Sequence, residues 1–290
     1  MRERYSAING RAGERMLRIG CVKYLNARPL IRGWNGEVDF DHPSALCNKL
    51  AAGKLDVALV SSFEFLRNPI YRIVNDVSIS SDGPVYSVVV AYRGEISNIA
   101  GIELDPASET SANLLRSLLA ELGLSPHLVQ GNAPKVFGAK HSARLLIGDQ
   151  AIRFRQQYAN EFSFWDLGEE WLKLFNIPFV YALWLIRPEV DDPEQIADCL
   201  RNLRDENLAN FDDLVREVVT GAGLSHRSSK AKADDPGRRT GLNRQFFFHY
   251  YHEHLRFGFG EREKEGLRTF AKLCTRQDLI PERDLTFRVA

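Results

Sequence analysis

A chain of 290 residues, 44% hydrophobic and 26% charged, has the make-up of a folded protein of one large or two ordinary domains, not of a disordered one. Lys plus Arg and Asp plus Glu both number 38, so the net charge is zero. That balance argues against a commitment to nucleic acid or to an anionic membrane surface, and leaves anion recognition to local geometry.

No run approaches the roughly 18 apolar residues of a membrane helix. Segment 1–16 is charged, lacks the apolar core of a secretory signal, and reads as a poorly ordered N-terminal extension. Cys21, Cys47, Cys199 and Cys274 are scattered without a CxxC pair, so reduced thiols and a cytoplasmic setting are expected.

The first element is the apolar strand Ile19–Val22, which breaks into a polar turn carrying Tyr24 and Asn26. Pro29 then opens a helix, where proline at the first turn is tolerated. Ligands of open α/β sheets bind outside the carboxyl ends of strands, so Asn26 is either a substrate contact or an Asx-turn former. A strand at Val38–Asp41 and a short helix at 43–52 lead to the apolar run 55–60, the pattern of a strand covered on both faces. It stops at Ser61 and Ser62, which either donate to a ligand or cap the next helix.

Strand signals follow at 71–74 and 77–79, then a Gly83-Pro84 turn and the extended run 86–92, with Ser87 its odd polar group. A short strand at 102–105 precedes a helix in which Leu115, Leu118, Leu119 and Leu122 recur at i, i+3, i+4 and i+7. Ser108, Thr110 and Ser111 crowd the start of that helix, where free N–H groups and the helix dipole favour an anion; an ordinary N-cap accounts for one of the three. Segment 144–149 repeats the strand-turn pattern and ends in Gly148 and Asp149, the acid being a cap or a ligand contact. An aromatic stretch at 162–168, an amphipathic segment at 169–175 and the long apolar run 178–186 follow.

The chain is helical from Asp191 onward, interrupted by a polar segment, 221–241, that reads as a solvated loop. His249, His252 and His254 fall at i, i+3 and i+5, do not share one helical face and lack a supporting carboxylate pattern. No metal site is therefore expected.

Strands alternating with helices define an α/β chain, with parallel sheets expected. The extended runs 86–92 and Phe179–Ile186 bracket a segment with its own strands and helices. The expected architecture is two α/β lobes joined by two crossing strands. Lobe 1 would comprise 17–90 and 186–290, and lobe 2 the inserted 91–185. Strand-end turns of both lobes would face one cleft for a small anionic molecule.

Six motifs in order resemble one family: Tyr24-Leu25-Asn26-Ala27-Arg28-Pro29-Leu30, Asp56 through Ser61-Ser62-Phe63-Glu64-Phe65, Gly83-Pro84-Val85-Tyr86-Ser87-Val88, Leu104-Asp105-Pro106-Ala107-Ser108-Glu109-Thr110-Ser111, Leu146-Ile147-Gly148-Asp149, and Asp166-Leu167-Gly168-Glu169-Glu170-Trp171. They are similar to the chorismate dehydratases of the futalosine route to menaquinone. The resemblance runs from about Leu17 to the C-terminal helix. It implies a type II periplasmic-binding-protein fold, a cytoplasmic enzyme without cofactor, and chorismate as substrate, dehydrated to 3-[(1-carboxyvinyl)oxy]benzoate. Two departures are Ser61, where the family often carries proline, and a long 221–241 loop.

On this reading Asn26 and Ser87 are the candidate catalytic residues. Tyr24, Ser61, Ser62, Ser108, Thr110, Ser111, Gly148 and Asp149 are candidate substrate contacts. Glu64 and Asp149 are the acids in strand-end turns. A carboxylate base beside a dianionic substrate would repel it, so the substrate's own side-chain carboxylate is the expected base. Two other readings are a solute-binding protein for a small carboxylate and the related 1,4-dihydroxy-6-naphthoate synthase, whose characteristic N-terminal pattern is not found. No nucleic-acid or membrane partner is expected, and a homodimer is left open.

Overall fold

The computed structural model describes residues 16–130, 142–220 and 242–290. The N-terminal extension expected up to residue 16 lies outside these residues except for Met16, as does the loop expected at 221–241.

The elements run β1 (Ile19–Val22), α1 (Arg28–Ile31), β2 (Val38–Asp41), α2 (Pro43–Ala51), β3 (Val57–Ser61), α3 (Ser62–Arg67), β4 (Arg72–Ser81), β5 (Val88–Tyr92), β6 (Gly101–Leu104), α4 (Glu109–Glu121) and β7 (His127–Gln130). They continue with β8 (Ser142–Ile147), α5 (Gly148–Gln157), β9 (Ser163–Asp166), α6 (Leu167–Phe175), β10 (Phe179–Ile186), α7 (Pro193–Ala209), α8 (Phe211–Thr220), α9 (Arg244–His249), a π turn at Tyr250–His254, and α10 (Glu261–Arg276).

The strands form two five-stranded sheets, β2-β1-β3-β10-β4 in the first lobe and β7-β6-β8-β5-β9 in the second. Both sheets are mixed, where parallel sheets were expected. In the first, β1 pairs in parallel with β2 and β3, while β10 runs antiparallel to β3 and β4. In the second, β6 pairs in parallel with β7 and β8, while β5 runs antiparallel to β8 and β9. The exceptions have one cause: β5 and β10 each enter their sheet from the other lobe and not through a helical crossover. Sheet membership changes between Ser81 and Val88, and again between Asp166 and Phe179; β10 pairs along its length in the first sheet.

Burial follows the hydropathy pattern. Strands β1, β3 and β10 are buried at every position, as expected for runs covered on both faces. The expected strands 71–74 and 77–79 are one strand, β4. Its interruption is local: Asp76 has φ 61°, and the β4–β10 register shifts between Leu183 and Leu185. In the run 86–92 only Val88–Tyr92 is strand, because Tyr86 takes the left-handed conformation, φ 65°. The main apolar core passes through both sheets and contains Trp171 and Trp184, both fully buried. Helix α10 packs on β10 and on α4, tying the C-terminal segment to both lobes.

Candidate active site

The opening turn is held from outside itself. After β1 the chain makes a single 3₁₀ turn, Leu25–Ala27, and enters α1 with Pro29 in the first turn as expected. Neither Leu25 backbone group depends on the turn alone. Its N–H donates to Asp149 Oδ1 at 2.9 Å, and its carbonyl accepts the Tyr251 hydroxyl at 2.8 Å. Asn26 follows directly, and its Oδ1 is buried without a hydrogen-bond partner among the described residues. An unpaired buried amide oxygen costs about 1–3 kcal/mol unless a ligand donor or bound water completes it.

Ser87 stands where the chain crosses into the second lobe. The crossing is braced by Asp166, whose Oδ1 accepts Val85 N–H at 3.0 Å and whose Oδ2 accepts Tyr86 N–H at 2.8 Å. Oδ1 also caps α6 through Gly168 and Glu169. Gly168 permits this approach, since a β-carbon there would lie 2.6 Å from Gly83 O and 2.7 Å from the Tyr181 hydroxyl. The Ser87 carbonyl accepts Gly148 N–H at 2.7 Å. Its side chain accepts the Tyr250 hydroxyl at 2.9 Å and is 3.4 Å from Val85 O.

These elements meet at a cleft between the lobes. Polar groups come from Tyr24, Asn26, Ser61, Ser87, Ser108 and Ser111; Val22, Ile79, Val85, Val88 and Ile147 supply apolar wall. Among the described residues, no charged side chain lines it. Gly148 closes one wall with φ +56°, and a β-carbon there would stand 3.0 Å from the Tyr24 ring. The Tyr24 hydroxyl lies 3.1 Å from His42 Nδ1. Burial, with Asp105 and Asp149 nearby, pushes the Tyr24 phenol well up, which keeps it protonated.

At the start of α4 the expected N-cap is present. Ser108 is the N-cap, accepting Ser111 N–H at 3.3 Å, and its hydroxyl lies 3.1 Å from the Ser111 hydroxyl. Both serines also border the cleft.

Ser62, Thr110 and Asp149 stand behind the cleft wall. Ser62 donates to Val180 O at 2.7 Å. Thr110 Oγ1 accepts Phe63 N–H at 3.0 Å, lies 3.3 Å from Ser62 Oγ, and is bonded to Ser61 Oγ, which in turn accepts Thr110 N–H at 3.2 Å. These hydroxyls join β3 and α3 of the first lobe to α4 of the second. Asp149 neither caps α5 nor borders the cleft; it spans to Leu25. Burial raises its carboxyl above the ordinary value, opposed by the Leu25 N–H and by Arg153, Arg28 and Lys23.

The other acid, Glu64, is fully buried and fully used, by Arg67 at 2.5 Å, Asn68 at 2.9 Å and the Tyr71 hydroxyl at 3.2 Å. The three C-terminal histidines are likewise engaged apart from one another. His249 pairs with Glu253, His252 packs on Phe211 and Phe248, and His254 bonds Pro84 O.

Tyr181 lines the cleft, and Tyr250 and Tyr251 stand behind it, positions that were not among the candidate residues. The signal was present in one form: Phe246–Tyr250 and Phe247–Tyr251 are i, i+4 aromatic pairs, stacked at 5.6 and 6.1 Å.

Two lobes meeting at an uncharged cleft define a binding-protein-like architecture, and solved structures share it. A protein from Archaeoglobus fulgidus superposes with a TM-score of 0.64 at 18% identity, over 91% of this chain and 98% of its own. The periplasmic aliphatic sulphonate-binding protein of Escherichia coli does so at 0.62 and 13% identity, over 94% and 91%. At these identities the likeness is one of fold. Residues 17–276 match the family described as menaquinone biosynthesis, and the chain belongs to that family. A curated relative, the chorismate dehydratase of Thermus thermophilus, is 28% identical over 275 residues, covering 88% of this chain and 93% of the relative.

Proposed function

We propose that the chain is a chorismate dehydratase of the futalosine route, releasing water from chorismate to give 3-[(1-carboxyvinyl)oxy]benzoate. The observation that carries this reading is the unpaired, buried Oδ1 of Asn26 at a cleft lined by uncharged donors, in a chain of the menaquinone-biosynthesis family. Its relative in Thermus thermophilus bears the name of this activity.

The chemistry suits such a site. Loss of the ring C3 proton and the C4 hydroxyl makes the ring aromatic, so the substrate supplies the driving force. The protein has to hold two carboxylates and stabilise developing negative charge, a task for preorganised neutral donors. Ser108 and Ser111 at the start of α4 would take one carboxylate. Asn26 would hold the enolpyruvyl carboxylate, which removes the C3 proton, through its amide N–H, its Oδ1 accepting the C4 hydroxyl. Ser87 would donate a hydrogen bond to the C4 hydroxyl, which takes up the abstracted proton and leaves as water. The engagement of Asp149 with Leu25 and of Glu64 with three partners supports a base supplied by the substrate.

Purified protein incubated with chorismate tests the reading: an aromatic ultraviolet spectrum is expected to replace that of the cyclohexadiene. Binding of chorismate without spectral change would favour a solute-binding protein, and absence of both would refute the assignment.

A further inference from the structure

We propose that Tyr250 and Tyr251 are paired positioning residues, Tyr250 setting the Ser87 hydroxyl and Tyr251 setting the turn that presents Asn26. The inference rests on the roles given to Asn26 and Ser87 above. The helical path of Arg244–His249 widens into a π turn at Tyr250–His254, a feature frequent at functional sites. The two tyrosines that begin it are almost completely buried and reach different walls of the cleft.

Tyr250 donates to Ser87 Oγ at 2.9 Å. With an Oγ lone pair so occupied, the Ser87 proton has, among the described residues, only the Val85 carbonyl as acceptor, at 3.4 Å, the long limit of a hydrogen bond. Ser87 is thereby poised to donate into the cleft. Burial pushes the Tyr250 phenol well up, which keeps it a donor. Tyr251 donates to the Leu25 carbonyl at 2.8 Å, the group that begins the peptide link to Asn26. Asp149 holds the N–H of the same residue, so Leu25 is gripped through both of its backbone groups. Stacking of Phe246 on Tyr250 and of Phe247 on Tyr251 fixes both rings independently of their hydroxyls.

Tyr250→Phe and Tyr251→Phe each delete one oxygen and keep the ring stacks. Each is expected to lower kcat on chorismate by about tenfold with KM changed less than about twofold, while the melting temperature shows the fold intact. Tyr250→Phe should cost nothing further in a Ser87→Ala background, and Tyr251→Phe nothing further in an Asn26→Ala background. Undiminished kcat, or fully additive losses, would overturn the proposal. Crystal structures of the single variants decide it even if the wild-type chain proves inactive on chorismate, an outcome that would refute the functional reading alone. Rotation of Ser87 and displacement of Asn26 are expected, and unmoved side chains overturn the positioning role.

Discussion

Asp149 of the second lobe accepts the backbone N–H of Leu25 in the first at 2.9 Å, across 124 residues of sequence. A carboxylate so placed shapes the turn before Asn26. Asp149→Asn keeps an acceptor oxygen, so turnover is expected to fall by less than about tenfold. Asp149→Ala strands the Leu25 N–H, costs about 1–3 kcal/mol of stability, and lowers turnover further. Steady-state kinetics and denaturant unfolding check both; abolished turnover with intact binding in Asp149→Asn would identify a protein base.

The same carboxyl leaves a mark on stability against pH. Burial raises its folded-state value above the unfolded 3.8, so the folded chain takes up its proton more readily than the unfolded one. That contribution is complete below 3.8 and is lost as pH rises through the folded value. Unfolding measured in parallel should therefore show Asp149→Asn gaining on the wild type as pH rises through that window. A constant difference would refute this.

Asn26→Ala removes the side chain that carries the unpaired oxygen. Loss of one preorganised contact to the developing charge should lower kcat by about 100-fold or more. Stability should hold or rise, because an unsatisfied buried acceptor disappears with the side chain. Retained wild-type turnover of chorismate would remove Asn26 from the mechanism.

Much of this was legible because it is local. Pro29 at the start of α1, the Ser108 cap and the buried runs of β1, β3 and β10 are each written within a few residues. Strand direction was not, since an apolar run buried on both faces looks the same read either way. Nor was the division of the serine and threonine hydroxyls into cleft and interface, which depends on a partner in the other lobe. Tyr250 and Tyr251 carry no local signal of their bonds because the groups they meet, Ser87 and Leu25, lie 163 and 226 residues away.

Thr110 shows what that division means for stability. Its hydroxyl joins Ser61, Ser62 and the Phe63 N–H between the lobes. Thr110→Val keeps the shape and leaves these buried groups unmet, so unfolding free energy should drop by about 1–3 kcal/mol. Thr110→Ser should recover most of it; a loss in Thr110→Ser without one in Thr110→Val would assign the effect to the methyl group.

The placement of β10 between β3 and β4 also sets an order of assembly during synthesis. The strands of the second sheet lie within one continuous stretch, from Val88 to Asp166. The first sheet lacks an interior strand until Ile186 has left the ribosome, although its other four strands were made by Ser81. The lobe that begins the chain is thus the later of the two to close its sheet, and the apolar faces of β3 and β4 must wait through the making of its neighbour.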